Sequence, residues 1–233
     1  MISNPRRVYQ FTTAEFAHST ADYLQVQVRF AIQQYGECRI VLAGGRTPAE
    51  VYRALSTQGE VDWSKVHVFV GDERCVSPDH ADSNYRMLAE NLLSRVSVPA
   101  RQIHRLRGEI EPSEAATAYD ALIASLDEPK FHVVLNGIGA DGHTASLFPG
   151  DQTIVSERAW AVTARAPAQF AVEQRLTLTM RALNSTKLSI TFCTGADKRT
   201  VRDMILALPD GSPLLPASLL RGLDQSWWFV DGA

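Results

Sequence analysis

Short, largely apolar runs alternate along this chain with stretches in which apolar residues recur at helical spacing. Residues 39–43, 66–70 and 131–135 are runs of strand length with three or more consecutive apolar side chains, and 188–193 is a largely apolar run broken by Ser189 and Thr191. That is the pattern of strands buried on both faces. Weaker strand signals lie at 160–163 and 176–179, a short edge strand at 103–106, and a closing strand at 226–230. Thr12, followed three residues later by Glu15, fits a capping box and opens a long helix that runs to Tyr35 and ends at Gly36. Thr47-Pro48-Ala49-Glu50 supplies a cap, a proline at the first helical position and a carboxylate after it. Ser83 caps a helix through Arg95, and residues 112–126 and 196–208 read as further helices. Strands alternating with helices predict an α/β fold: a doubly wound, mostly parallel sheet with helices on both faces, Rossmann-like, in a single domain over residues 1–233. The Pro- and Gly-rich stretch 209–216 is too short to divide it and reads as a surface loop.

Composition narrows the class of function. Hydrophobic residues make up 45% and charged residues 21% of the 233 positions, ordinary values for a folded globular chain. A net charge of −3 lacks the broad basic face that nucleic acid or an anionic membrane surface would favour. Cys38, Cys75 and Cys193 are far apart and form no C-x-x-C pair, so they read as reduced thiols of a cytoplasmic protein rather than as a zinc or redox site. Residues 1–10 are not followed by an apolar run of signal length, and no stretch approaches the roughly 18 apolar residues of a membrane span.

Chemistry is expected beyond the carboxyl ends of the parallel strands. Four strand-like runs end there in glycine or charge. Gly44-Gly45-Arg46-Thr47 reads either as a tight turn or as an anion site, where backbone N–H groups, a helix dipole and Arg46 converge. It lacks the lysine of a nucleotide triphosphate loop. Asp72-Glu73-Arg74 reads as a solvated strand end, or as an oxyanion-binding arginine oriented by carboxylates. Gly137-Ile138-Gly139-Ala140-Asp141-Gly142 formally matches a dinucleotide fingerprint, but the segment after it reaches Pro149-Gly150 too soon for a crossover helix. The alternative use of that turn is to hold His143 beside a ligand as a general base, with Asp141 two residues away to orient it or support its charge. Arg175, and Lys198 in a helix's first turn, are further cations that a bound anion would favour.

Taken together, these segments resemble the 6-phosphogluconolactonase family. The most specific piece is the run from Asn136 through Gly137, Gly139, Asp141 and His143 to Pro149; Gly44 to Pro48, Asp72 to Val76 with Ser83-Asn84-Tyr85, Arg175 to Thr179, and Gly195 to Lys198 follow in the family's order. Arg46 stands where a small hydroxyl residue is usual, His132 where Asp is usual, and Asn136 where an apolar residue is usual; the proline cluster that normally precedes Arg175 is missing. Glucosamine-6-phosphate deaminases are similar around the same turn but carry a carboxylate before the proline, where this chain has Phe148. The resemblance implies hydrolysis of 6-phospho-D-glucono-1,5-lactone without metal or other cofactor. It implies His143 and Asp141 at the reacting carbon, with Gly44, Gly45, Arg46, Thr47, Asp72, Arg74, Gly139, Arg175 and Lys198 around the rest of the substrate. A sugar-phosphate lactone is then the expected partner, with neither nucleic acid nor membrane.

Overall fold

The computed structural model describes residues 6–151, 158–208 and 211–232, with 225–232 described as backbone. Residues 1–5, 209 and 210, which belong to the N-terminal and loop stretches considered above, lie outside the described residues. The first half contains β1 (Arg7–Thr12), α1 (Thr13–Tyr35), β2 (Cys38–Leu42), α2 (Arg46–Ser56), β3 (Val66–Val70), β4 (Asp72–Arg74), α3 (Asn84–Leu88), β5 (Ile103–His104) and α4 (Pro112–Ala124). The second contains β6 (Phe131–Gly137), β7 (Ala161–Arg165), β8 (Gln174–Leu178), α5 (Met180–Asn184), β9 (Thr186–Cys193), α6 (Arg199–Leu206) and β10 (Gln225–Gly232).

Among the described residues, seven strands form one sheet in the order β1-β10-β9-β6-β2-β3-β5, and every neighbouring pair is parallel. Consecutive apolar residues in its central strands serve opposite faces. Ile40, Leu42, Val68, Val70, Val133 and Leu135 pack with Leu24 and Val28 of α1 and Val51 and Leu55 of α2. Val41, Phe69 and Val134, which alternate with them, pack on the other side with Tyr119 and Ile123 of α4 and Ile205 of α6. Each face thus removes its own apolar surface from water, which explains why these strands lack the polar alternation of a half-exposed sheet. From β2 the chain winds outward through β3 to β5, then returns to β6 on the other side of β2 and winds away again. The crevice between β2 and β6 is therefore the topological switch point, where a ligand-binding cleft belongs.

Several sequence expectations need correction. Segments 160–163 and 176–179 do form strands, β7 and β8, but not in the main sheet. They pair antiparallel in a separate three-stranded sheet, β4-β8-β7, which the charged triplet Asp72-Glu73-Arg74 joins. β1 was not expected from the sequence. The helix capped by Ser83 is α-helical only to Leu88 and continues as a wider π turn over Ala89–Leu93. α2 starts at Arg46 after Gly45, so Thr47 lies inside the first turn and does not cap it.

Two departures from the family pattern find local partners. The Nδ1 of His132 accepts from Arg39 N–H at 2.9 Å, and its ring stacks on Tyr35 at 4.6 Å. Burial, with Arg39 and Lys187 adding to it, pushes this imidazole down to about 4, consistent with a ring nitrogen that must stay unprotonated to accept. Asn136 donates to Ser189 Oγ across the β6–β9 pair at 3.2 Å.

Candidate active site

At the carboxyl edge of β2, β3, β6 and β9 lies a cleft of about 710 Å³, placed across the switch point. Gly44, Gly45, Arg46, Thr47, Asp72, Arg74, Gly139, His143 and Lys198 all line it. Asp141 and Arg175 adjoin this lining, Asp141 bonded to His143 and Arg175 paired across the strands with Arg74.

One wall is made by the loops that leave the parallel strands. The turn after β6 folds back on itself: Gly139 N–H donates to His143 O at 2.9 Å, and Gly142 N–H to Gly139 O at 3.0 Å. A Cβ on Gly139 would overlap the His143 ring and crowd Asp141 Oδ1, so only glycine fits beneath the imidazole. Gly142 has φ of 86°, a left-handed conformation that glycine adopts without steric cost. The compact turn brings Asp141 Oδ1 to 2.5 Å from His143 Nδ1 and to 3.1 Å from the His143 amide. Desolvation favours the neutral acid here, but hydrogen bonds from the His143 ring and amide outweigh it and hold the Asp141 carboxyl below its ordinary value. An ionised carboxylate only accepts, so Nδ1 carries the proton and Nε2 keeps its lone pair for the cleft. The ring is flanked by Phe148 at 4.7 Å and Phe170 at 5.9 Å. The Gly139 and Gly142 amides are thus spent within the turn itself.

Across the switch point, Thr47 Oγ1 and Thr194 Oγ1 share a hydrogen bond at 2.6 Å, tying the start of α2 to the loop after β9. Arg46 is exposed at the mouth, and Lys198 is half-buried on the β9 side.

The opposite wall comes from the small sheet. Arg74 and Arg175 are direct cross-strand neighbours on β4 and β8. Like charges so placed repel. Burial, and next the Arg74 charge, lower the Arg175 guanidinium from its ordinary value, while Asp72, Asp82 and Glu73 act the other way. Arg74 donates from Nη1 to Asp82 O at 2.5 Å, yet the buried Nε atoms of both arginines have no hydrogen-bond partner. Two neighbouring cations with unused donors form a site that an anion would complete.

Both carboxylates of the Asp72-Glu73 pair prove to be supports. Glu73 is buried and accepts from the amides of Arg74, Asn84 and Tyr85 and from Ser83 Oγ, at 2.7 to 3.0 Å, which clamps β4 to the start of α3. Asp72 accepts from Ser146 Oγ at 2.7 Å and from Asn84 Nδ2 at 3.0 Å, linking β4 to the segment just after His143. A Cβ on Gly44 would overlap the Asn84 carboxamide, which lines the cleft there. Asn84, Ser146, Thr194 and Phe170 escaped sequence reasoning as site residues. Asn84 and Ser146 carried a signal, their places in recognisable motifs.

A family model described as glucosamine-6-phosphate isomerases/6-phosphogluconolactonase matches residues 12–228. The chain is 34% identical to a 6-phosphogluconolactonase of Nostoc sp. over 229 residues, covering 95% of this chain and 92% of that one. It is 32% identical to a probable 6-phosphogluconolactonase of Arabidopsis thaliana, covering 93% and 87% respectively. The fold superposes on the crystal structure of 6-phosphogluconolactonase from Thermotoga maritima with a TM-score of 0.88 at 28% identity, over 97% of this chain and 100% of that one. A monomeric glucosamine-6-phosphate deaminase shares the fold, with a TM-score of 0.82 at 20% identity.

Proposed function

The chain belongs to the glucosamine-6-phosphate isomerase/6-phosphogluconolactonase family, and from that premise we propose that it hydrolyses 6-phospho-D-glucono-1,5-lactone to 6-phospho-D-gluconate, the lactone step of the pentose phosphate pathway. The observation that carries this reading is the Asp141–His143 pair, which leaves one basic nitrogen toward a cleft whose far wall holds two incompletely bonded arginines.

The lactone carbonyl is electrophilic, so water suffices as nucleophile once it is activated. His143 Nε2 takes a proton from water as its oxygen bonds to C1, and the carbonyl electron pair moves to oxygen. Asp141 holds the ring and balances the imidazolium charge. When the tetrahedral intermediate collapses, the C1–ring oxygen bond breaks and His143 returns the proton to that oxygen. Ring opening yields the acid, which ionises. Arg74 and Arg175 receive the phosphate, supported by Lys198 and by the Gly44–Thr47 turn with Arg46. Binding energy released there holds C1 against the base.

The deaminase reading is weaker, because the position before Pro149 is Phe148, packed on the His143 ring, and supplies no carboxylate. We read residues 1–233 as one catalytic domain acting in the cytoplasm. Supporting this, the thiols of Cys38, Cys75 and Cys193 form no disulfide, and no helix among the described residues is long and apolar enough to cross a membrane.

The test is a pH-stat assay on freshly prepared 6-phosphogluconolactone, with the spontaneous rate subtracted. The wild type is expected to exceed the buffer rate by orders of magnitude. An enzyme rate equal to buffer, alongside ammonia release from glucosamine 6-phosphate, would overturn the proposal.

A further inference from the structure

Phe170 lines the cleft but has no task in the chemistry above. It sits in the loop between β7 and β8, whose base is closed by a 2.8 Å hydrogen bond from Ala166 N–H to Glu173 O. Its ring meets the His143 ring edge to face, at 5.9 Å and 83°. It lies 5.4 Å from the Phe148 ring, and the Arg175 guanidinium carbon is 5.8 Å from its centroid. Phe170 therefore touches both the base and a cation of the arginine wall. Phe148 is buried, whereas Phe170 is half-exposed on a loop that re-enters the fold one residue before Arg175.

We propose that Phe170 is a positioning residue that transmits occupancy of the arginine wall to the base, an inference that rests on the function proposed above. Without a ligand, Arg74 and Arg175 repel each other and keep unused donors. An anion drawn between them fixes the Arg175 guanidinium at the foot of the loop. A fixed guanidinium holds the Phe170 ring by cation–π attraction. The ring in turn limits the imidazole to the orientation that Asp141 favours, through an edge-to-face contact that aromatic quadrupoles prefer. Phosphate binding thus improves the aim of His143 at C1, a use of remote binding energy on the reacting group.

Cutting the substrate into two pieces tests this. Hydrolysis of unphosphorylated glucono-1,5-lactone is measured with and without inorganic phosphate, subtracting the enzyme-free rate at each phosphate concentration. In the wild type, phosphate is expected to raise kcat/KM on the order of tenfold, a usual size for coupling between two sites. Phe170→Ala is expected to lose most of that activation while calorimetry still finds phosphate bound within about threefold of wild-type affinity. Phe170→Tyr, which keeps the ring, is expected to retain it. Phe170→Leu fills similar space without a ring and gives the same reading if the alanine variant fails to fold. Equal activation of wild type and Phe170→Leu, or no activation of the wild type, would overturn the coupling. The function itself stands or falls separately, on wild-type hydrolysis of the phosphorylated lactone.

Discussion

The two walls of the cleft are built on opposite plans. On the wall formed by the parallel-strand loops, the proposed base His143 is already held in place: Asp141 holds Nδ1, the Gly139 and Gly142 amides close the turn, and Thr47 is tied to Thr194. On the small-sheet wall, Arg74 and Arg175 lie side by side with buried donors unused. On the function proposed above, the first wall is ready without substrate, and the second is completed by the phosphate. The difference matches the chemistry. Proton transfer to a base rewards a geometry fixed beforehand. An anion site can hold repelling cations in readiness, because the arriving charge relieves the repulsion.

Substitutions can break this contrast at either wall. The largest effect is expected from His143→Ala, which removes the base and should lower kcat by about 10²–10⁴-fold with little change in KM. Steady-state rates on the phosphorylated lactone check it, and a wild-type kcat would remove His143 from the mechanism. Next is Gly139→Ala. The added methyl must displace the imidazole, and a misplacement of about 1 Å costs on the order of 10²-fold in rate. Here kcat should fall while phosphate affinity stays as it was. Arg175→Met addresses the other wall, where loss of a charge-assisted contact should raise KM by about tenfold or more. Because the variant also relieves a like-charge pair, its melting temperature without ligand should not fall, although phosphate should stabilise it less than the wild type. A large drop in ligand-free stability would contradict the incomplete-site picture.

The smallest effect is a pH dependence carried by Asp141 on the first wall. Asp141 binds its proton more weakly in the folded state than in the unfolded chain. Its contribution to stability is therefore fully present above the unfolded value of about 3.9 and is lost as pH falls through the lower folded value. Thermal melts of Asp141→Asn should accordingly approach those of the wild type as the pH is lowered through that range.

The same division governs what could be read from the sequence. β2, β3, β6 and β9 were legible because each is a largely apolar run that stops at glycine or charge, and such a run has few other stable homes. The glycines and the histidine of the first wall were legible with them, since the turn is local. Arg74 and Arg175 were singled out one by one, but the strand pairing that joins them into the second wall was not legible. β4 is three charged residues with no apolar period, and its partner β8 lies about a hundred residues onward, so only tertiary pairing makes it a strand. β1 was missed because its side chains are mostly exposed and its partner is the last strand of the chain. Phe170 gave no periodic signal at all: a single aromatic residue in an irregular loop is silent until the fold carries it over the imidazole.

The pairing of β1 with β10 bears on how this molecule is made. β1 aligns Arg7 through Thr12 with residues 227–232 and has no other neighbour in the sheet among the described residues. During synthesis it finds its partner only once β10, about two hundred residues onward, has been made. β10 thus acts as a latch on β1, and its loss would leave bare strand edges open to mispairing with other chains.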